Sequence, residues 1–403
     1  MEIGDSATET GAETPQAVSI LYVATVSHTI SSFLLPYAEH FRSLGWRIDA
    51  AASGAARDEG MGTSFDHTFE LPLSRSITDL SGMVRAMRAI THLLSQEPRP
   101  DIVHVHTPIA GFVTRVAARR VRPERRPAIV YTAHGFHFHR GGSRMSNALF
   151  LAAERVAGRW TDRLVVINDE DAETARRHRI VPSGHLVQMP GIGLDAGWYS
   201  RARLAPGAIA AARTEMGVGQ QTPVLVSVGE LNRNKRTGDV ISALRLMRHT
   251  EACLVLLGGG PEQVRLGALV RELGLDARVC FLGSVADVRP FVAAATALVL
   301  ASRREGLNRS IMEAMALEVP VIASSARGNG DLIGSDAGLV VSVGDVPAFA
   351  AAMDWLLDHP AEARQMGHRG RMRAVERYDL GILIPMHEKL YRAVASEAGR
   401  RRQ

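Results

Sequence analysis

Two glutamates, Glu305 and Glu313, are the residues of this chain whose type and spacing are best suited to chemistry. Glu305 follows a short apolar run at residues 297–301, which is typical of a buried parallel strand. Glu313 is expected in the first turn of the next helix, which Asn308 or Ser310 can cap. Open α/β sheets bind ligands at the carboxyl ends of their strands, where helix N-termini attract phosphate. The spacing therefore favours a nucleotide or sugar-phosphate site, and an ordinary surface crossover with two solvated glutamates stays open as the alternative.

Lys235 is a further candidate for binding phosphate. Among the 47 basic residues only Lys235 and Lys389 are lysines, so a lysine in a loop stands out from a background of arginines. It lies beyond a predicted strand at residues 224–229, where a compact ammonium suggests phosphate binding rather than solubility. After the next strand, the glycines of the turn at residues 258–261 let another group approach the backbone closely, although this run alone is a weak signal.

Three histidines, His134, His137 and His139, follow a predicted strand at residues 128–132. They have no carboxylate or cysteine at ligand spacing, so the pattern argues against a zinc site. A polar contact from one histidine to a substrate is favoured, and a packed or solvated histidine loop is the alternative. The acidic run that follows Asn168 stands at a helix start, so it is interpreted as helix capping rather than as a metal site.

Strand-like apolar runs alternate with amphipathic helices through both halves of the chain. This alternation predicts α/β domains with doubly wound parallel sheets, and 403 residues are enough for two of them. We expect a polar, disordered tail at residues 1–16, a first domain at 17–195, a second domain at 196–377 and a C-terminal helix with a basic tail at 378–403. Since no glycine-rich fingerprint follows the first strand, where Ser27 and His28 are predicted to form a turn, an NAD site there is disfavoured.

The composition, with 46% hydrophobic and 22% charged residues, is typical of a globular protein of the cytosol. Cys253 and Cys280 stand in apolar runs and are expected to be buried and unpaired, and no apolar run is long enough to cross a membrane. A basic cluster comprises Arg115, Arg119, Arg120, Arg122, Arg125 and Arg126. It fits an anionic membrane surface or a merely solvated face, whereas nucleic acid is disfavoured because no nucleic-acid-binding motif accompanies it.

The segment SRREGLNRSIMEAMALEVPVIAS, with its E-x7-E spacing, resembles the donor site of the family 4 retaining glycosyltransferases of GT-B fold. Seven further blocks stand in the order typical of that family: YTAHGFHFH, VVINDEDAETA, PGIGLD, VGELNRNKR, LLGGGPE, FLGSVADV and ARGNGDLI. The resemblance covers roughly residues 17–395 and is closest to the branch for capsular and exopolysaccharide biosynthesis. It implies two Rossmann-like domains that face a cleft, with the C-terminal helix crossing back to the first domain.

The resemblance also implies roles for the candidate residues. Lys235 would bind the donor diphosphate, Glu313 the ribose hydroxyls, and Glu305 the donor sugar near its reacting carbon. His134 would reach the donor sugar from the first domain, and with Glu305 and Lys235 it forms the catalytic set. The remaining donor-binding residues would be Arg233, Arg236, Gly259 and the backbone amides of Gly306, Leu307 and Asn308, while Ser27 and His28 would lie near the donor phosphate and the acceptor.

One position departs from the pattern of the wider family. Most members carry an arginine where this chain has Glu230, and a carboxylate beside two phosphates would be repulsive. Either Arg233 or Arg236 supplies the missing charge, or Glu230 turns away. The polysaccharide branch itself tends to have glutamate there, so the departure bears on this contact more than on the activity.

The implied reaction transfers a sugar with retention from a UDP-linked donor, such as UDP-GlcNAc or UDP-GalNAc, to a saccharide acceptor. No cofactor and no divalent metal is expected, in keeping with the absence of a D-x-D motif at a suitable strand end. The acceptor implied for this branch is linked to polyprenyl diphosphate, which would bring a cytoplasmic enzyme to the inner face of the plasma membrane as a peripheral protein. A nucleotide-sugar epimerase of the same fold and a non-catalytic nucleotide-sugar-binding protein are the alternatives.

Overall fold

A computed structural model describes residues 17–76, 78–138 and 143–402, so the predicted tail at residues 1–16 and His139 lie outside the described residues. Apolar runs of the first half form a seven-stranded sheet in the order β3-β2-β1-β4-β5-β6-β7, with every pairing parallel. Its strands are β1 (Ser19–Val26), β2 (Arg47–Ser53), β3 (Thr68–Glu70), β4 (Ile102–His106), β5 (Ala128–Ala133), β6 (Arg163–Val166) and β7 (Leu186–Gln188).

Helices cover both faces of this first sheet, because its strands are apolar on both sides. The helices are α1 (Ser27–Phe33), α2 (Leu35–Ser43), α3 (Glu59–Ser64), α4 (Leu80–Ser95), α5 (Pro108–Arg119), α6 (Arg144–Gly158) and α7 (Asp169–Arg177). Helices α4 to α7 bury their apolar residues on one face of the sheet, and α1 to α3 on the other.

The second half repeats this architecture with a six-stranded parallel sheet in the order β10-β9-β8-β11-β12-β13. Its strands are β8 (Val224–Val228), β9 (Cys253–Leu257), β10 (Val279–Gly283), β11 (Ala297–Leu300), β12 (Val321–Ser324) and β13 (Gly338–Val341). Its helices are α8 (Ala208–Glu215), α9 (Thr237–Leu246), α10 (Gln263–Glu272), α11 (Arg289–Ala293), α12 (Arg309–Ala316), α13 (Asn329–Ile333), α14 (Val346–Asp358) and α15 (Pro360–Tyr378). The prediction of two doubly wound parallel-sheet domains is confirmed.

The last helix, α16 (Leu380–Arg402), crosses back to the first domain, as predicted. Leu383, Tyr391 and Val394 of α16 are buried in the same core cluster as strands β1 and β2. Glu397 adds an ion pair with Arg163, whose Nη2 lies 2.5 Å from Oε1. Helix α16 therefore packs on the first domain, although it follows the second in sequence.

The segment after β1 differs from its prediction. Ser27 and His28 form the first turn of helix α1, so the turn predicted at these residues is wrong, and a second helix, α2, follows after Leu34. Pro36 stands in the first turn of α2 and has no N–H to donate to the preceding turn, so one continuous helix through this position is disfavoured.

The basic cluster of the first domain is only partly a surface. Arg119, Arg120, Arg122 and Arg125 are exposed, but Arg115 is buried to 1% exposure and does not belong to that surface, which corrects its predicted place. Its Nη2 lies 2.9 Å from Oε2 of Glu154, and its guanidinium stacks 4.3 Å from the ring centroid of Tyr131. A run of arginines in sequence does not reveal that one of them faces inward to a carboxylate from another helix.

Cys253 and Cys280 are unpaired, as predicted, but both are partly exposed rather than buried. Partial burial raises the pKa of both thiols. Across the described ranges, no helix combines the length and the apolarity that a membrane span requires.

Candidate active site

The candidate residues lie where the carboxyl ends of the two sheets meet. His134 follows β5 in the first domain, while the loops after β8 and β11 carry Lys235 and Glu305 in the second. A Cβ atom at Gly306 would overlap the carbonyl oxygen of His134, and one at Gly328 would overlap the carbonyl oxygen of Gly306. Since only glycine permits these approaches, the loops after β5, β11 and β12 pack backbone against backbone.

Lys235 and Glu305 form an ion pair at the centre of this junction. Nζ of Lys235 lies 2.7 Å from Oε1 of Glu305, and both side chains are mostly buried, with 20% and 13% exposure. The loop of Lys235 is shaped by Asn232, whose Oδ1 accepts from the backbone N–H groups of Asn234 and Lys235 at 3.0 and 3.1 Å. Asn234 then donates from Nδ2 to the carbonyl of Arg304 at 2.8 Å, so the two loops are held together.

Glu313 lies on α12 with its carboxyl group buried. It stands in the second turn rather than in the predicted first turn, because Asn308 caps the helix by accepting from the N–H of Ser310 at 3.0 Å. Nε of Arg309 donates to Oε1 of Glu313 at 2.9 Å, and Tyr199 adds a second hydrogen bond. Burial raises the pKa of Glu313 in spite of Arg309, and burial beside this carboxyl group raises the pKa of Tyr199 to about 12.

His134 approaches the donor loop from the first domain and contacts a second histidine, His106 at the end of β4. The Nε2 atom of His134 and the Nδ1 atom of His106 are 3.0 Å apart. Burial lowers the pKa of His134 to about 4 and that of His106 well below its ordinary value. Both imidazoles are therefore neutral at physiological pH.

Two of the predicted cations lie away from this centre. Arg233 is 93% exposed and pairs with Glu262 at 3.5 Å, while Nε of Arg236 lies 2.6 Å from Asp239. Glu230 is exposed and accepts from Nδ2 of Asn232 at 2.8 Å. The structure thus gives these three charges local partners and brings none of them into the Lys235–Glu305 pair.

The backbone groups and small residues of the prediction occupy the surrounding loops. The carbonyl of Gly259 accepts from the N–H of Leu231 at 2.9 Å, which ties the loop after β9 to the loop after β8. His28 is exposed and hydrogen-bonded to Ser32, and the carbonyl of Ser32 accepts from Arg309 of α12. Helix α1, which begins with Ser27, therefore contacts the helix of Glu313.

An ion pair between the domains was not predicted as part of the site. Arg327 donates from Nη1 to Oδ1 of Asp171 and from Nη2 to the carbonyl of Phe136, the latter at 2.8 Å. Both charged side chains are buried, and burial raises the pKa of Asp171 despite Arg327. The acidic run after Asn168 begins α7, as predicted, with Asn168 as the capping residue, and Asp171 of this run is in addition an interdomain partner. The only sequence signal was that both residues stand in blocks of the family pattern.

Within residues 17–76, 78–138 and 143–402, no group of three or more histidine, cysteine or acidic side chains is arranged to hold a metal ion.

Two family profiles match the two halves of the chain. "Glycosyl transferase 4-like domain" matches residues 29–191, and "Glycosyl transferases group 1" matches residues 210–373. EpsD of Bacillus subtilis (strain 168), which is named as a glycosyltransferase, is 32% identical over 361 residues, or 88% of this chain and 92% of EpsD. The UDP-Gal:alpha-D-GlcNAc-diphosphoundecaprenol alpha-1,3-galactosyltransferase of Escherichia coli is 26% identical over 290 residues, or 70% of this chain and 72% of that protein.

The fold has solved counterparts as well. Anabaena HepE, solved in complex with UDP and glucose, superposes with a TM-score of 0.76 at 18% identity, over 93% of this chain and 99% of HepE. Two facing parallel-sheet domains and the helix that crosses between them define the GT-B fold. The two family profiles and the likeness to EpsD show that the chain is a glycosyltransferase. Within that class the chain belongs to family 4, in the branch for capsule and exopolysaccharide biosynthesis, which confirms the resemblance found in its motifs.

Proposed function

We propose that the chain is a retaining glycosyltransferase that takes a sugar from a UDP-linked donor, such as UDP-GlcNAc or UDP-GalNAc, and transfers it to a saccharide acceptor. The observation that carries this proposal is the pair formed by Lys235 and Glu305 at the junction of the domains, with 2.7 Å between Nζ and Oε1. It sets a cation suited to a diphosphate beside a carboxylate suited to sugar hydroxyls.

Charge stabilisation of the leaving group follows from this arrangement. An ammonium has three N–H donors, and Glu305 occupies one of them, so Lys235 can bind a phosphate without losing its partner. The backbone amides of Gly306, Leu307 and Asn308 precede α12 and would add donors at a helix N-terminus. Negative charge that develops on the UDP as the glycosidic bond breaks would be stabilised by these groups, and the proposed reaction needs no divalent metal or cofactor.

The remaining roles follow from position. Glu313, on the helix that begins at this loop, would bind the ribose hydroxyls, and His134 would contact the donor sugar from across the domain junction. The acceptor hydroxyl would attack from the side of the departing UDP, whose phosphate would assist in taking the proton. No side chain is assigned as a dedicated general base.

Donor affinity tests the assignment. Lys235→Ala and Glu313→Ala should each weaken the binding of UDP-GlcNAc or UDP-GalNAc roughly 10- to 100-fold in calorimetric titrations, the range expected for a charge-assisted hydrogen bond. Lys389→Ala removes the other lysine, which is exposed on α16, and serves as the matched control. Unchanged affinity in both site variants would overturn the proposed site.

We further propose that the acceptor is linked to polyprenyl diphosphate and is met at an anionic membrane surface. A related protein, the Escherichia coli galactosyltransferase, is named for a diphosphoundecaprenol substrate. Helices α4, α5 and α6 lie side by side on the first sheet and expose apolar residues among arginines, a combination that suits the membrane interface. This α4–α6 face consists of Leu80, Val84, Phe112, Met145, Leu149, Val156, Arg85, Arg88, Arg144 and Arg155.

Vesicle sedimentation tests this second step. Met145 and Leu149 are 83% and 67% exposed, so their replacement by serine should reduce binding to phosphatidylglycerol vesicles without unfolding the domain. The control is Met372→Ser, on the exposed side of α15 in the second domain. Equal partitioning of the unmodified protein onto phosphatidylglycerol and phosphatidylcholine vesicles would remove the electrostatic part of the proposal.

A further inference from the structure

His106 is a buried residue with no assigned role that lies directly behind His134. It ends β4, and β4 pairs with β5 in the register that sets His106 beside Thr132, two residues before His134. Its imidazole is 1% exposed, and its Nδ1 atom lies 3.0 Å from Nε2 of His134. The two rings therefore share one hydrogen bond at the edge of the proposed donor site.

Neighbouring side chains hold the ring of His106 in place. The ring of His104 lies on one side with 4.2 Å between centroids, and the ring of Tyr22 lies 5.9 Å away. His104 is itself fixed by hydrogen bonds with the hydroxyls of Tyr391 at 2.6 Å and Thr132 at 2.8 Å. The orientation of His106 is thus determined by packing and not by its bond to His134 alone.

The hydrogen bond between the two rings needs one proton, and the burial of His106 indicates which residue supplies it. A neutral imidazole has one N–H donor and one bare nitrogen acceptor. The other nitrogen of His106, Nε2, is buried and has no partner among the described residues. A buried N–H without an acceptor is rare and costly in native proteins, so the proton of His106 belongs on Nδ1, from which it donates to His134.

We propose that His106 fixes His134 as its Nδ1–H tautomer, which makes His134 a hydrogen-bond donor toward the sugar of the nucleotide donor. Since Nε2 of His134 accepts from His106, the proton of His134 must reside on Nδ1. A sugar hydroxyl can then accept from His134 while donating to the carboxylate of Glu305, because a hydroxyl does both. The effect on transfer rests on the proposed function, and His106 is a positioning residue that acts through His134.

Imidazole nitrogen spectra test the tautomer without any donor present. In the full chain labelled with 15N-histidine, long-range proton–nitrogen correlations report which nitrogen is protonated, and His134→Gln assigns the signals. We expect the Nδ1–H form for His134 at neutral pH, in contrast to the Nε2–H form that free histidine prefers in water. Finding His134 as the Nε2–H form would overturn the proposal, whatever the enzyme's donor proves to be.

Two substitutions at His106 extend the test. His106→Asn sets an amide N–H near the position of Nδ1 and should keep the tautomer of His134, whereas His106→Leu removes the donor and should shift His134 toward Nε2–H. With a donor and acceptor present, kcat/KM should fall roughly tenfold in His106→Leu and stay within roughly threefold in His106→Asn, if both melt as the unmodified protein does. An unchanged tautomer in His106→Leu would overturn the role of His106, while unchanged donor affinity in both Lys235→Ala and Glu313→Ala would overturn only the proposed site.

Discussion

The carboxyl group of Glu313 is buried beside Arg309, and this environment sets the pH at which it ionises. Burial raises its pKa above the ordinary value for glutamate, while Arg309 and Tyr199 oppose the shift. The ionised form is the better acceptor for ribose hydroxyls, because both of its oxygens accept and its hydrogen bonds are charge-assisted. We therefore expect the affinity for UDP-GlcNAc to fall as the pH is lowered, beginning above the range in which an exposed glutamate takes up its proton.

Calorimetric titration between about pH 8 and pH 5.5 measures this dependence. UDP-GlcNAc is the suitable probe because each of its phosphates is joined by one ester and one anhydride bond and keeps a single strongly acidic oxygen, so its charge does not change over this range. Glu313→Gln should bind roughly tenfold more weakly at neutral pH and show little further loss at low pH. Equal pH dependence in both proteins would show that another group is responsible.

For single residues, the sequence was sufficient to identify site candidates that stand out by their local spacing, by their rarity or by a family motif. Glu305 and Glu313 could be singled out from their spacing, and Lys235 from its rarity. Asp171 and Arg327 are 156 residues apart in different domains, so no local pattern connects them. Arg115 was misplaced for the same reason, since Glu154 is its partner on another helix. Charge alone does not tell a surface arginine from a paired interior one.

At the scale of elements, the ion pair of Asp171 and Arg327 links α7 of the first domain to the loop after β12 in the second. Because Arg327 also donates to the carbonyl of Phe136, the pair holds the loop that carries His134. Arg327→Met leaves a carboxylate buried without its cation, which should lower the free energy of unfolding by about 3–5 kcal/mol. Asp171→Asn is the second single variant. The double variant should lose less free energy of unfolding than the two single variants lose in sum.

Urea titration of the unmodified protein, the two single variants and the double variant measures this coupling. In the double variant kcat/KM should fall as well, since the loop of His134 loses its contact with Arg327. Arg369→Met provides the comparison, because its pair with Asp336 spans 3.8 Å at the surface and should contribute at most about 1 kcal/mol. Additive losses from Asp171 and Arg327, or full activity of the double variant, would contradict the linkage.

The order of elements was predictable because strand runs and amphipathic helices differ in period. Breaks inside a helical run were harder to predict. The segment after β1 has helical spacing throughout, and only Pro36 indicates that α1 and α2 are separate helices. Close contacts between loops could not be predicted from the sequence. Gly306, for example, must be glycine because a Cβ atom there would overlap the carbonyl oxygen of His134 in the other domain. Such contacts depend on how the two sheets face each other.

At the scale of the whole molecule, α16 joins the proposed active site to the end of the chain. Tyr391 of α16 is hydrogen-bonded to His104, whose ring packs at a tilt against that of His106 behind His134. His387 of the same helix packs with its ring 4.8 Å from that of Tyr37. Burial lowers the pKa of all four histidines, so the core of the first domain contains a group of imidazoles that resist protonation.

This core should make the protein sensitive to acid. The pKa of His387 is about 4 in the folded chain and 6.5 when the residue is free, so the unfolded state binds more protons below pH 6.5. The contribution of neutral His387 to the free energy of unfolding is therefore fully present above pH 6.5 and is lost as the pH falls. Between pH 7.5 and pH 5 this loss should be about 2 kcal/mol for His387 alone. Urea titrations at these two pH values should show a smaller loss for His387→Gln than for the unmodified protein. His368→Gln, at an exposed position of α15, should keep the full loss, and an equal loss in all three proteins would rule out His387 as a cause.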